Sequence, residues 1–293
     1  MNKQRKGIIL AGGLGTRLYP LTLGVSKHLL PVYDKPMIYY PITVLMLSGI
    51  REILVITTPE DLPQFRRVLG DGSQWGISIK FEIQESPDGL AQAYLIAENF
   101  LNGAPSALIL GDNIFFGNGL VKLLQSADQR KQGVTVFGYH VNDPERYGVF
   151  GFDEYGKVTS IEEKPVQPAS NYAVTGLYFA DDTAPERCKN IRPSKRGELE
   201  ITSLLNDYLN EGSLQVELMG RGFSWLDTGT HTSLLDASNF VKTLTERQGL
   251  QLGAPDEVAY LQKLITKAKL VQRAQMFKKN YYGKYLDNLA NGL

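Results

Sequence analysis

The residues Leu10-Ala11-Gly12-Gly13-Leu14-Gly15-Thr16-Arg17-Leu18 concentrate the chemical potential of this 293-residue chain. Glycines at 12, 13 and 15 let backbone N–H groups approach an anion closely, and Arg17 adds a fixed positive charge. Lys27, shortly downstream, adds a second. The pattern fits neither common phosphate fingerprint. Gly13-Leu14-Gly15 lacks the third glycine of a dinucleotide site, and no Gly-Lys-Ser/Thr follows as a P-loop requires. A match from Gly151 to Lys157 ends in Val158 and spans a hairpin turn. Taken alone, the glycine stretch is equally an ordinary strand-to-helix turn.

Two carboxylates stand at comparable transitions. Asp112 follows a buried apolar run at its carboxyl end, where open α/β sheets bind ligands. Asp227 sits in Gly222-Phe223-Ser224-Trp225-Leu226-Asp227-Thr228-Gly229-Thr230. Without thiols or clustered imidazoles nearby, the pair points to a hard cation such as Mg²⁺, which prefers oxygen ligands. Each aspartate alone also fits a helix cap or a turn. Lys164, in Glu162-Glu163-Lys164-Pro165, closes a strand, and the following proline restricts its backbone. The Arg192–Glu198 stretch adds cations that fit a solvated surface equally well.

No nucleophile emerges. There is no Gly-x-Ser-x-Gly elbow, and Cys188, the single cysteine, has no histidine near it in sequence. That suits transfer between a nucleotide and a phosphorylated sugar. A phosphate monoester, with a second pKa of about 6, is already largely a dianion at neutral pH. What it requires is alignment and positive charge.

The elements needed to hold these groups are legible in the first half. Gly7–Leu10, Ile53–Thr57 and Ala107–Leu110 read as buried strands, and Ile77, Ile79, Phe81 and Ile83 alternate as in a half-buried one. Met37–Gly49, Glu60–Leu69 and Leu90–Leu101 read as helices between them, the signature of βαβ units. After Val134, strand-like pieces (Val134–Tyr139, Val149–Phe152, Val158–Ile161, Tyr172–Phe179) crowd together as antiparallel additions. From Thr230 the chain turns helical. Val258, Leu261, Ile265 and Ala268 keep a 3.6-residue spacing after Pro255. The expected fold is α/β: a Rossmann-like, mostly parallel sheet flanked by helices, with an antiparallel insertion and a helical C-terminal appendage. The economical division is 1-250 as the catalytic unit and 251-293 as the helical segment.

Composition excludes several partners. Lys+Arg (31) balance Asp+Glu (31), so no global charge recruits nucleic acid or an anionic membrane. No stretch reaches the ~18–20 apolar residues of a membrane span. The basic start Met1–Lys6 precedes too short an apolar run for a signal peptide, so the chain reads as cytoplasmic. A lone cysteine and the scattered His28, His140 and His231 exclude a disulfide framework and a Cys- or His-pair metal site.

Six motifs in one order resemble the sugar-1-phosphate nucleotidyltransferases from about Lys6 to Leu250. They are Leu10–Leu18 with Ser26-Lys27 and Leu30-Pro31, Gln84–Ala93, Gly111-Asp112-Asn113-Ile114-Phe115, Asp143–Val149, and Trp225–Thr230. Within that family the match is to the members that join dTTP to glucose 1-phosphate. The resemblance implies Mg²⁺-dependent formation of dTDP-glucose and pyrophosphate, the first step of dTDP-rhamnose and deoxysugar synthesis, by in-line attack of the sugar phosphate on the α-phosphorus. It implies that Leu10, Gly12, Gly13, Gly15, Thr16, Arg17 and Lys27 cradle the nucleotide, with Gln84, Pro87, Asp88 and Gly89 at the base. A glutamine amide suits thymine, since it can accept from N3–H and donate to a ring carbonyl. Asp112 and Asp227 would hold Mg²⁺. Asn113, Tyr147, Gly148, Glu163 and Val174 would line the sugar pocket of the antiparallel insertion, with Lys164 and Arg196 on its phosphate. Arg17, Lys27, Asp112, Lys164 and Asp227 are the implied catalytic set.

The resemblance further implies a homotetramer with allosteric feedback by the end product through the tail. The tail departs from the family pattern at Tyr260-Leu261-Gln262-Lys263 and over Leu264–Asn280, and His28 stands where a glutamine is expected. Uridylyl transfer is the nearest alternative, because thymine and uracil differ by one methyl worth ~1 kcal/mol. A nucleotide-sugar sensor without turnover is the alternative of a different class. A dinucleotide-dependent oxidoreductase is disfavoured by the missing glycine.

Overall fold

A computed structural model describes residues 3–292. Of the expectations above, only Met1 and Asn2 of the basic start and Leu293 of the 251-293 segment lie outside the described residues. The chain runs β1 (Lys6–Ala11), β2 (Pro31–Val32), β3 (Lys35–Pro36), α1 (Tyr39–Leu47), β4 (Glu52–Thr57), α2 (Leu62–Leu69), β5 (Ser78–Ile83), α3 (Gln92–Leu101) and β6 (Ser106–Leu110). There follow β7 (Asn113–Gly117), α4 (Leu120–Gln129), β8 (Val134–His140), β9 (Gly148–Phe152), β10 (Val158–Glu163) and β11 (Tyr172–Ala180). The remainder is α5 (Ala184–Lys189), α6 (Ile201–Asn210), β12 (Leu214–Met219), β13 (Phe223–Asp227), α7 (His231–Gln248), α8 (Pro255–Leu261), α9 (Lys267–Met276) and α10 (Tyr281–Asn291).

Ile8, Ile9, Leu10 and Ala11 are all buried because β1 is central and covered on both faces. Successive side chains point to opposite faces. Ile9 and Ala11 accordingly join the core under α1, α2 and α4, while Ile8 and Leu10 join the core under α3 and α6. Helix α1 lacks a polar stripe, as a helix buried on all sides must; Tyr40 through Met46 are buried, and α8 packs on its outer side.

Strands β6, β1, β4 and β5 pair parallel in that order. The chain thus leaves β1 toward β5, then crosses back to place β6 on its other side. That reversal is a topological switch point, and the crevice beyond β1 and β6 is where such sheets bind ligands. The antiparallel additions extend the same sheet. Tyr178 of β11 pairs with Leu108 of β6 and Val136 of β8, whereas Ala173 pairs with Val149 of β9 and Tyr139 of β8. Strands β6 and β9 therefore share one edge of β11, and β11 departs from regular register between Val174 and Tyr178 where they meet. Strand β12 adds to β8 in parallel, completing nine strands.

A separate two-stranded ribbon pairs β7 with β13 antiparallel and sets Asp227 opposite Asn113. The C-terminal part departs from the single helical period read over 258–268. Helix α8 stops before Lys263, which adopts φ +59°, and α9 restarts at Thr266, whose hydroxyl accepts the Lys269 N–H. Leu261 is left 61% exposed, so the four apolar positions do not form one face. Lys164 closes β10 as expected, but with φ +43° in the left-handed region. No described helix is long and apolar enough to cross a membrane.

Candidate active site

The parallel strands deliver their ends to one place. β1 leads into Gly12, β5 into Gln84 and β6 into Asp112. A side chain at Gly12 would overlap the Gln84 amide oxygen, and one at Gly13 would face the Lys27 stem. Glycine is therefore required at position 12 by the close approach of Gln84, whereas Gly13 meets Lys27 only at ordinary contact distance. Gly15 takes φ +64°, which admits glycine readily. Among the described residues, none of the Gly13, Leu14 and Gly15 N–H groups donates to a protein acceptor. These N–H groups suit an anion.

Two adjoining cavities open there, of about 330 and 160 Å³. Leu10, Gly13, Lys27, Gln84, Pro87 and Gly89 line the larger; Asn113, Tyr147, Gly148, Val174 and Asp227 line the smaller. Arg17, Asp112, Glu163 and Lys164 line both, with Leu90 and Leu110 as the apolar part of the shared wall. Arg196 lines only the larger cavity, held by Glu198 at 2.8 Å, Glu200 at 3.5 Å and Glu163 at 3.8 Å. Gly12, Gly15, Thr16 and Asp88 line neither. Gly12 lies buried beneath Gln84, and Asp88 turns to Ser86 and Gln92.

Asp112 and Asp227 meet because the ribbon brings them together. The Thr228 N–H and hydroxyl both donate to the Asp112 carbonyl, at 3.2 and 2.9 Å. Lys27 Nζ donates to Asp112 Oδ2 at 2.5 Å, and Asn113 Nδ2 to Oδ1 at 2.9 Å. Burial works against the Asp112 carboxylate, but Lys27 and then Asn113 outweigh it and hold the carboxyl below its usual range. Asp227 differs. Burial pushes its carboxyl up, Arg146 opposes this, and the facing charge of Asp112 adds to it. Arg146 Nη2 and the Tyr147 hydroxyl each stand 3.3 Å from Asp227 Oδ2. Two carboxylates sharing a cavity wall, one destabilised by the other, with only oxygen donors, fit a hard divalent cation.

Further side chains hold the walls of the site in place. Asn113 Oδ1 accepts from Trp225 Nε1 at 2.6 Å and Gly176 N at 3.0 Å, so this residue ties the ribbon to β11 as well as bounding the cavity. Trp225 meets the Tyr147 ring edge-on at 5.1 Å. Arg146, Gln92 and Trp225 all fall inside the motifs quoted above, yet their partners are remote in sequence and no spacing announces them.

His28 lies 2% exposed at the larger cavity, its ring against Gly111 and Nδ1 3.3 Å from Ser26 Oγ. Burial, then the Lys27 charge, push the imidazole down to about 3. The unfolded chain, with an ordinary histidine pKa of about 6.5, binds a proton that the folded chain refuses between these values. Its contribution is thus complete above pH 6.5 and lost as pH falls. Between pH 8 and pH 5, His28 is expected to cost the wild type about 2 kcal/mol more stability than His28→Gln loses. Urea midpoints of both proteins at the two pH values check this; parallel losses would refute it.

The family model described as Nucleotidyl transferase matches residues 6–243. The chain is 61% identical over 287 residues to a glucose-1-phosphate thymidylyltransferase of Xanthomonas campestris pv. campestris, covering 98% of this chain and 97% of that one. It is 56% identical over 284 residues to the protein of that name from Neisseria gonorrhoeae, covering 97% and 99%. A crystal structure from Bacillus anthracis, described as a glucose-1-phosphate thymidylyltransferase in complex with sucrose, superposes with a TM-score of 0.75 at 42% identity. It covers 80% of this chain and 94% of its own.

Proposed function

The chain belongs to the nucleotidyl transferase family, and we propose that it transfers the thymidylyl group of dTTP to glucose 1-phosphate, giving dTDP-glucose and pyrophosphate. It is a nucleotidyltransferase enzyme, as its 50–61% identical relatives are. The observation that carries the reaction is the seam between the two cavities. Arg17, Lys164 and Asp112 stand where a triphosphate in the larger would meet a sugar phosphate in the smaller.

The larger cavity takes dTTP, with Gln84 and Gly89 at the base and the glycine turn, Arg17 and Lys27 along the phosphates. The smaller takes the sugar, bounded by Tyr147, Gly148, Glu163 and Val174, with Lys164 at its phosphate. Arg196 reaches that phosphate only by giving up its carboxylate partners. Asp112 and Asp227 would hold a divalent cation, Mg²⁺ by the hardness of their donors, which when bound supplies neutralising charge at the phosphates. The sugar phosphate is already a dianion, so no protein base is needed. Its oxygen attacks the α-phosphorus in line while the two cavities fix the angle, and the cations at the seam offset repulsion between the two anions. Lys164, whose left-handed backbone is strained for a non-glycine residue, lies at that seam with its ammonium 4.0 Å from Glu163 Oε1.

Pyrophosphate release with Mg²⁺ and glucose 1-phosphate, across dTTP, UTP, GTP, ATP and CTP, tests the reading. Release with dTTP at least as fast as with UTP is expected. A clear preference for UTP would make it a uridylyltransferase, and silence with every nucleotide from folded, nucleotide-binding protein would leave a sensor.

A further inference from the structure

Gln84 does not stand alone at the end of β5. Its Nε2 donates to Gln92 Oε1 at 2.6 Å. That same Gln92 oxygen accepts the Asp88 N–H at 3.2 Å, and Gln92 Nε2 donates to Asp88 Oδ2 at 3.1 Å. Asp88 Oδ2 also accepts the Ser86 hydroxyl at 2.5 Å, and the Asp88 carbonyl accepts the Leu199 N–H at 2.7 Å. The direction of this chain is fixed at its far end, because an ionised carboxylate only accepts. Asp88 therefore draws the NH₂ of Gln92, Gln92 presents its oxygen to Gln84, and Gln84 must give one N–H to Gln92. What remains of the Gln84 amide is one N–H and the carbonyl oxygen, in one order.

That order matters to a pyrimidine. Thymine and uracil offer an acceptor at O4 beside a donor at N3; cytosine offers a donor at N4 beside an acceptor at N3. A glutamine free to turn its amide over serves either base, whereas a fixed one serves only the first. We propose that Gln92, held by Asp88, is a positioning residue that locks the Gln84 amide in one orientation, so that the site rejects cytosine nucleotides. The inference rests on Gln84 being the residue that meets the base. It concerns a different residue, and the consequence is selectivity between bases, not affinity for nucleotide in general.

The experiment compares kcat/KM for dTTP and dCTP, with dCTP also measured as a competitive inhibitor, in the wild type, Gln92→Leu, Gln84→Ala and the double variant Q92E/D88N. Leucine keeps the volume and removes the lock, so the dTTP/dCTP ratio is expected to fall about tenfold or more while the KM for glucose 1-phosphate holds. In Q92E/D88N the glutamate still accepts from Gln84 and the new asparagine amide donates to it, so the ratio is expected to return toward the wild-type value. Equal losses on both nucleotides in Gln92→Leu would mean that Gln92 only packs, and would overturn the lock. If Gln84→Ala leaves the ratio untouched, the base assignment itself fails. If Gln84→Ala collapses the ratio and Gln92→Leu does not, the lock alone fails.

Discussion

Asp112→Asn and Asp227→Asn are each expected to lower kcat by about 10²–10³-fold, roughly 3–4 kcal/mol of transition-state stabilisation. Both substitutions keep the volume and remove the charge that would hold the cation. Their side effects differ, which makes the pair informative. At 112, one face of the new amide must meet Lys27 or Asn113 with an N–H where an acceptor stood. A stability loss of about 1–3 kcal/mol therefore accompanies the kinetic one. Lys27, relieved of its 2.5 Å partner, then faces the phosphates with its full charge. The KM for dTTP is thus expected to hold or fall while kcat collapses. At 227, the substitution releases Arg146 and the Tyr147 hydroxyl, both on the sugar side, so any rise in KM should appear for glucose 1-phosphate. Steady-state kinetics with titrated Mg²⁺, beside a melting curve of each variant, measure all of this. Wild-type kcat in both folded variants would remove the two aspartates from the cation.

Gly89→Ala is expected to produce the largest loss of stability among single-methyl additions near the site. Gly89 takes φ +116°, and a Cβ there would overlap both the carbonyl oxygen and the nitrogen of Leu199. Leu199 is not free to yield. Its N–H is bound by the Asp88 carbonyl and its own carbonyl by Ala91 N–H. Backbone strain and overlap together are expected to cost about 2–4 kcal/mol. The melting temperature should fall by roughly 3–7 °C. Because Asp88 shifts with its neighbour, the KM for dTTP should rise more than the KM for glucose 1-phosphate. A melting temperature within a degree of the wild type would show that the 85–89 loop relaxes without strain.

The sequence discloses those parts of the molecule whose signal is local. Strands β1, β4 and β6 are apolar runs because both of their faces are covered, and the groups at their ends, Gly12 and Asp112, are visible as punctuation. Pairing is not local. The segment Asn113–Gly117 carries no strand reading of its own after Ala107–Leu110, and only its register with Phe223–Asp227 makes it a ribbon. Helices α4 and α6 pass unnoticed for the same reason; their character comes from what they pack against. The tail misleads because four apolar residues at helical spacing carry no information about the turn at Lys263 that separates them. In the site, the charged and glycine residues are legible by type. The residues that orient them, Gln92, Arg146 and Trp225, are polar or aromatic side chains of ordinary appearance, and distance in sequence hides their partners.

The ribbon of β7 and β13 also joins early and late parts of the chain. The glycine turn, Gln84 and Asp112 lie at the ends of the parallel strands β1, β5 and β6, all within the first half of the chain. Asp227 arrives only with the last strand of the molecule, after β12 has closed the sheet. The residues proposed to cradle the nucleotide thus all precede the second carboxylate, Asp227 standing 115 positions (227 − 112) after Asp112.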